Sequence, residues 1–120
     1  MGYKPTDFNE LSRIADNDVD VLRAKGKSYG DSWRKRGGVG AFMMLARKWD
    51  RIETQVGENS YDVFHACYAT AEEPEGLLDD IADLRRYLLL VEEHVRAHYA
   101  GGKPTFDTGE PQGKGYVNQD

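Results

Sequence analysis

Cysteine is nearly absent. Cys67 is the only one in 120 residues, which excludes an intrachain disulfide and any cysteine-rich zinc site, and fits a reducing compartment. On its own Cys67 reads as a small buried hydrophobe. Long apolar runs are missing as well: none approaches the eighteen or so residues that a membrane span needs. The opening MGYKPTDFNE carries no apolar core of the signal-peptide kind, so the expectation is a cytoplasmic protein with no membrane partner. There is also no strand or hairpin pattern, no internal repeat and no interdomain linker. A hydrophobic content of 39% supports one modest core, so a single domain that assembles with copies of itself is expected.

What the chain does have is an uneven charge distribution. Its net charge is −5, yet from Arg23 to Arg51 nine Lys or Arg stand against only Asp31 and Asp50, a local excess of about +7. The rest carries about −12. An acidic chain that gathers its basic residues into one segment presents a local anion site, not a broad nucleic-acid face, and no direct nucleic-acid binding is expected.

Hydrophobic spacing predicts helices. Asp7 followed by Glu10 resembles a capping box, and the apolar series Phe8, Leu11, Ile14, Ala15, Val21 and Leu22 predicts a first helix over about 7–25. GKSYGDSWRKRGGVG, with five glycines in fifteen residues, then reads as a loop. Phe42, Leu45, Ala46, Trp49, Ile52 and Val56 predict a second helix over about 39–56, ended by Gly57. A short third helix is expected over about 61–69, capped by Ser60, with Val63, Phe64, Cys67 and Tyr68 inward. A long fourth helix opens near Pro74 and runs to about Tyr99, its seven-residue repeat from Leu77 through Ile81, Leu84, Leu88, Val91 and Val95 to His98 calling for a helical partner. Gly101 and Gly102 stop it. The expected fold is all-α: an antiparallel bundle of about four helices over residues 1–100, then an extended or disordered tail over 101–120.

Two acidic pairs stand at the edges of these apolar faces. Asp50 and Glu53 lie three apart on the second helix and Asp80 and Asp83 three apart on the fourth. Packed antiparallel, the two helices bring four carboxylates into a hard-oxygen cluster suited to magnesium or manganese. The same residues equally fit solvated faces in which Arg47 pairs with Asp50 and Arg86 with Asp83, and the helix dipole favours Asp79 and Asp80 near an N-terminus.

The basic segment has a similar double reading. Lys25, Lys27, Arg34, Lys35 and Arg36 can hold phosphates, aided by backbone N–H groups at Gly37, Gly38 and Gly40, while Tyr29 and Trp33 can stack on a base; it can equally be a soluble connector. GKS at 26–28 lacks the first glycine and preceding strand of a P-loop. His94 and His98, four apart, have no third ligand at motif spacing and fit ordinary helix-end histidines.

Together, KGKSYGDSW, ARKWDRIE and LLDDIADLRRYLLL resemble the phage and bacterial family of nucleotide modification associated domain proteins, which is similar in turn to the all-α MazG-like nucleotide pyrophosphohydrolases. The resemblance covers about residues 22–92. It implies a magnesium-dependent hydrolase of nucleoside triphosphates with Asp50, Glu53, Asp80 and Asp83 as metal ligands and catalytic carboxylates, and assembly as a homodimer or homotetramer with sites near subunit contacts. Lys27, Arg34 and Arg36 would hold the phosphates, joined by Lys25 and Lys48. The chain departs from that pattern. Lys48 and Trp49 precede Asp50 where those enzymes carry paired glutamates, and the later motif has Asp where Glu is usual, so the fold can survive without the reaction.

A second function therefore stands beside the first: a non-catalytic sponge that sequesters a nucleotide, or a nucleotide-derived signal of a host defence system, in the cytoplasm of an infected bacterium. A third is an accessory subunit of a DNA-modifying assembly. The tail, through Phe106 or Tyr116, can complete a neighbouring subunit's pocket.

Overall fold

The computed structural model describes residues 2–29 and 31–99, with backbone alone at 27–29. The fold is all-α. Four helices, α1 (Phe8–Tyr29), α2 (Gly37–Gly57), α3 (Val63–Ala69) and α4 (Leu77–His98), are joined with a single 3-10 turn at Ser32–Arg34 between α1 and α2. The expected tail, with Phe106 and Tyr116, lies outside the described residues.

Asp7 starts α1 by accepting hydrogen bonds from the backbone N–H of Asn9 (3.0 Å) and Glu10 (3.2 Å). Only this half of the capping box forms, because the Glu10 carboxylate reaches forward to Arg13. The helix then runs through Gly26 to Tyr29, four residues past its expected end. One interior glycine costs only about 1 kcal/mol, too little to break a helix with about five turns behind it. The expected glycine-rich loop is therefore mostly helical. What remains is a tight corner where Gly37 adopts φ +76°, a left-handed conformation that favours glycine.

α2 and α4 form the central antiparallel pair. Their direction follows from the partners they share: Lys48 meets Asp83, while Arg51 and Gln55, farther along α2, meet Asp80, one turn earlier on α4. Ile52, Ala66 and Leu77 form the buried centre, with Val56, Cys67, Ile81 and Leu84 packed around them. Ala66 is fully enclosed, and its small side chain lets the short α3 lie close against the pair. Val63, Phe64 and Tyr68, expected to face inward, are exposed instead, since seven residues offer only one narrow contact stripe. The α4 repeat also turns outward along its length: Leu77 is buried, whereas Leu88, Val95 and His98 are exposed.

Two caps differ from expectation. Asp62, not Ser60, caps α3 by accepting from the His65 N–H at 3.0 Å; Ser60 and Tyr61 instead take φ +59° in the turn after α2. Helix α4 begins at Leu77, three residues after Pro74. Its cap residue Gly76 has no side chain, so the Leu77 N–H donates to Oγ1 of Thr70 at 3.0 Å, and that hydroxyl donates to the Ala66 carbonyl at 3.0 Å.

The Cα radius of gyration is 17.1 Å, against roughly 14 Å for a compact domain of this length. Helix α1 is largely uncovered. Phe8, Leu11, Ile14 and Val19 are exposed along it, and Asp18 is its one buried residue among those described. No helix among the described residues is long and apolar enough to cross a membrane.

Candidate functional site

A cavity of about 460 Å³ opens where the end of α1, the 3-10 turn, the middle of α2 and the middle of α4 meet. Its size falls in the range of small-molecule sites. Helix α1 contributes Leu22, Lys25 and Gly26, and the corner contributes Asp31, Ser32 and Trp33. From α2 comes Lys48; from α4 come Asp83, Arg86, Tyr87 and Leu90. Three cations and two aromatic rings thus share a wall with two carboxylates. That mixture suits a ligand with a planar apolar part and negative groups.

The carboxylates are already engaged. Asp83 Oδ2 accepts from Lys48 Nζ at 3.2 Å, and its Oδ1 lies 3.8 Å from the Arg86 guanidinium. Asp31 pairs with Arg34 at 2.9 Å. Lys25, by contrast, has no carboxylate partner among the described residues.

Trp33 separates this cavity from a second one of about 310 Å³, lined by Phe42, Leu45, Val91 and Val95, with Arg34 and His94 beside them. The indole stands edge-on to His94, ring centroids 6.0 Å apart, with the Arg34 guanidinium 5.5 Å from its ring. Arg34 also donates to Nδ1 of His94 at 2.5 Å. Nδ1–H of His98 donates to the His94 carbonyl at 3.0 Å, and the two imidazoles stack 4.3 Å apart. These contacts pin the 3-10 turn to α4 and fix the indole as a rigid wall. Nδ1 of each histidine thereby has a hydrogen-bond partner within the chain.

The four expected metal ligands do not share one place. Asp80 is 2% exposed, and both its oxygens are taken, Oδ1 by Arg51 at 2.8 Å and Oδ2 by Gln55 at 2.6 Å. That bond raises the Arg51 guanidinium above its ordinary pKa and locks the register of α2 on α4. Asp83 faces the cavity between two cations. Asp50 and Glu53 are exposed on α2 and line neither cavity. Among the described residues no three His, Cys, Asp or Glu side chains gather closely enough to hold a metal ion.

Of the expected ligand-binding residues, Lys25, Trp33 and Lys48 meet in the large cavity. Arg34 borders the smaller one, committed to Asp31 and His94. Arg36 is exposed at the N-cap of α2 and lines neither. The side chains of Lys27 and Tyr29 lie outside the described residues. Sequence reasoning missed Arg86 and Tyr87 as lining residues. The available signal was their position: Asp83, Arg86, Tyr87 and Leu90 recur at spacings of three and four, on a stripe beside the apolar repeat. Comparison with protein families, with curated proteins and with solved structures finds no match to this chain.

Proposed function

We propose that the chain binds a nucleotide, or a nucleotide-derived small molecule, in the large cavity and holds it without cleaving it. The observation that carries this reading is the convergence of Lys25, Lys48 and Arg86 with Trp33 and Tyr87 around one cavity. Cations on three different helices can contact separate phosphate oxygens, with Arg86 supplying a planar fork of donors and the lysines point charges. The aromatic rings offer faces for a base. Resemblance of the same segments to nucleotide modification associated domain proteins supports the ligand class. Holding by Lys and Arg needs no metal, which suits the commitment of Asp80 to Arg51 and Gln55. In a phage setting such a protein withdraws its ligand from the host's pool.

A second reading, the magnesium-dependent pyrophosphohydrolase, is favoured by one observation. Asp83 faces the cavity one turn from Asp80, on the helix that resembles the acidic motif of MazG-like enzymes. The exposed apolar side chains on α1 and α3, including Phe8, Leu11, Phe64 and Tyr68, support assembly with further copies of the chain, which sedimentation velocity measures directly.

The deciding experiment incubates the protein with a panel of nucleoside triphosphates and cyclic nucleotides, with and without magnesium, and resolves bound and free species by chromatography. A ligand retained with or without magnesium, released intact on heating and lost in Lys48→Ala supports the sponge. Monophosphate and pyrophosphate appearing only with magnesium rejects it in favour of the hydrolase.

A further inference from the structure

The most deeply buried charge in the described chain lies behind the cavity, not in it. Asp18 is 0% exposed, on a helix whose other described side chains are exposed or, at Val21 and Leu22, half-buried. Its Oδ2 accepts from Nε of Arg85 at 2.6 Å, and its Oδ1 accepts from an Arg85 terminal nitrogen at 2.8 Å and from Nε of Arg86 at 2.9 Å. A carboxylate taken out of water is costly unless it is paired and hydrogen-bonded, and here two guanidiniums supply that pairing. The two arginines are held differently. Arg85 grips Asp18 with two nitrogens. Arg86 gives it only Nε, and its NH1 points toward Asp83 on the cavity wall.

A guanidinium is planar, so fixing Nε and the direction of one terminal nitrogen fixes the whole fork. We propose that Asp18 is the positioning residue of the anion site: it orients Arg86 so that its terminal nitrogens face the cavity, and it couples ligand binding to the docking of α1 on α4. The coupling follows from connectivity. Helix α1 carries Leu22 and Lys25 into the same cavity, one and two turns beyond Asp18 respectively, so a ligand that bridges Lys25 and Arg86 binds the docked arrangement and not the undocked one. Linkage then requires that ligand stabilise docking as much as docking strengthens binding. The proposal rests on reading the cavity as a phosphate-ligand site.

The test uses the full-length chain with ATP and inorganic tripolyphosphate as probes. Affinity is measured by calorimetry for wild type, Asp18→Asn and Arg85→Gln, and amide hydrogen exchange along α1 is followed with and without probe. Both variants loosen the clamp, but only Asp18→Asn removes the carboxylate charge against which Arg86 Nε is held. The expected result is at least a tenfold loss of probe affinity in Asp18→Asn, less than threefold in Arg85→Gln, and probe-dependent protection of residues 8–26 in wild type that Asp18→Asn lacks. Equal losses in the two variants mean a merely structural role and overturn the assignment, as does wild-type affinity in Asp18→Asn. Should Asp18→Asn fail to fold, exchange in the wild type decides: bound probe that leaves α1 exchange unchanged overturns the coupling. A wild type that binds neither these probes nor any nucleotide of the wider panel overturns the cavity reading itself, and this proposal with it.

Discussion

Substituting Gly76 by alanine tests how closely α4 approaches the turn after α3. Gly76 has φ −70° and ψ −177°, a backbone conformation open to alanine, so the effect is purely one of space. A Cβ there would sit 2.4 Å from the carbonyl oxygen of Thr70 and 3.2 Å from its Oγ1. The nearest obstacle is backbone, which cannot swing away as a side chain would. Relieving it means opening the contact by several tenths of an ångström or more, which pulls the Leu77 N–H from the Thr70 hydroxyl and Leu77 from its enclosed position. The lost cap costs about 1 kcal/mol and the disturbed packing about 1 to 2 more. A total near 2 to 3 kcal/mol lowers Tm by about 10 to 20 °C in a domain of this size.

Gly38→Ala is the control. A Cβ at Gly38 meets nothing within 4 Å, and alanine is the better helix former, so that variant gains up to about 1 kcal/mol. Urea and thermal unfolding followed by far-UV circular dichroism compare the three proteins. Gly76→Ala within about 0.5 kcal/mol of wild type, with an unchanged denaturant slope, refutes the close approach.

Other expectations follow from the same contacts. Leu77→Ala, at a fully buried centre, should cost about 3 kcal/mol in urea unfolding; a loss under 1 would mean that the core lies elsewhere. The Arg85 hydrogen bond, opposed by burial and aided by Arg86, holds the Asp18 carboxyl below the usual carboxylate range. Its folded form therefore takes up a proton at lower pH than the unfolded chain does, so its stabilisation is fully present above about pH 4 and fades as pH falls through the folded value. The stability gap between wild type and Asp18→Asn should shrink below pH 4, and a gap constant from pH 7 to pH 3 would contradict this. Burial pushes the Cys67 thiol up, so iodoacetamide at pH 8 should label it at least tenfold more slowly in the folded protein than in urea, as mass spectrometry can follow.

Much of this fold was legible in the chain because helices announce themselves locally. Periodic apolar residues and terminal signals such as Asp7 depend only on neighbours in sequence, so α2, α4 and the all-α class follow from spacing alone. The segment that forms the cavity could also be read, since nine basic residues crowd between Arg23 and Arg51. Which of them face the cavity could not. Lys25 faces it because α1 docks on α4 through Asp18; Arg34 borders the smaller cavity instead, held by Asp31 and His94.

The acidic pairs show the same division. Spacing put Asp80 and Asp83 on one side of a helix, yet a residue three positions along is rotated by about 60°, enough to turn Asp80 into the α2 contact with Arg51 and Gln55 while Asp83 meets the cavity. Sequence by itself determined the helices, their approximate limits and the concentration of positive charge, because these depend on contacts within a few residues. Tertiary structure alone decided that Arg86 and Tyr87 join Lys25, Lys48 and Trp33, and that Asp18 lies buried against Arg85 and Arg86. Those partners stand up to sixty-eight residues apart, and only the docking of whole helices brings them within hydrogen-bonding distance.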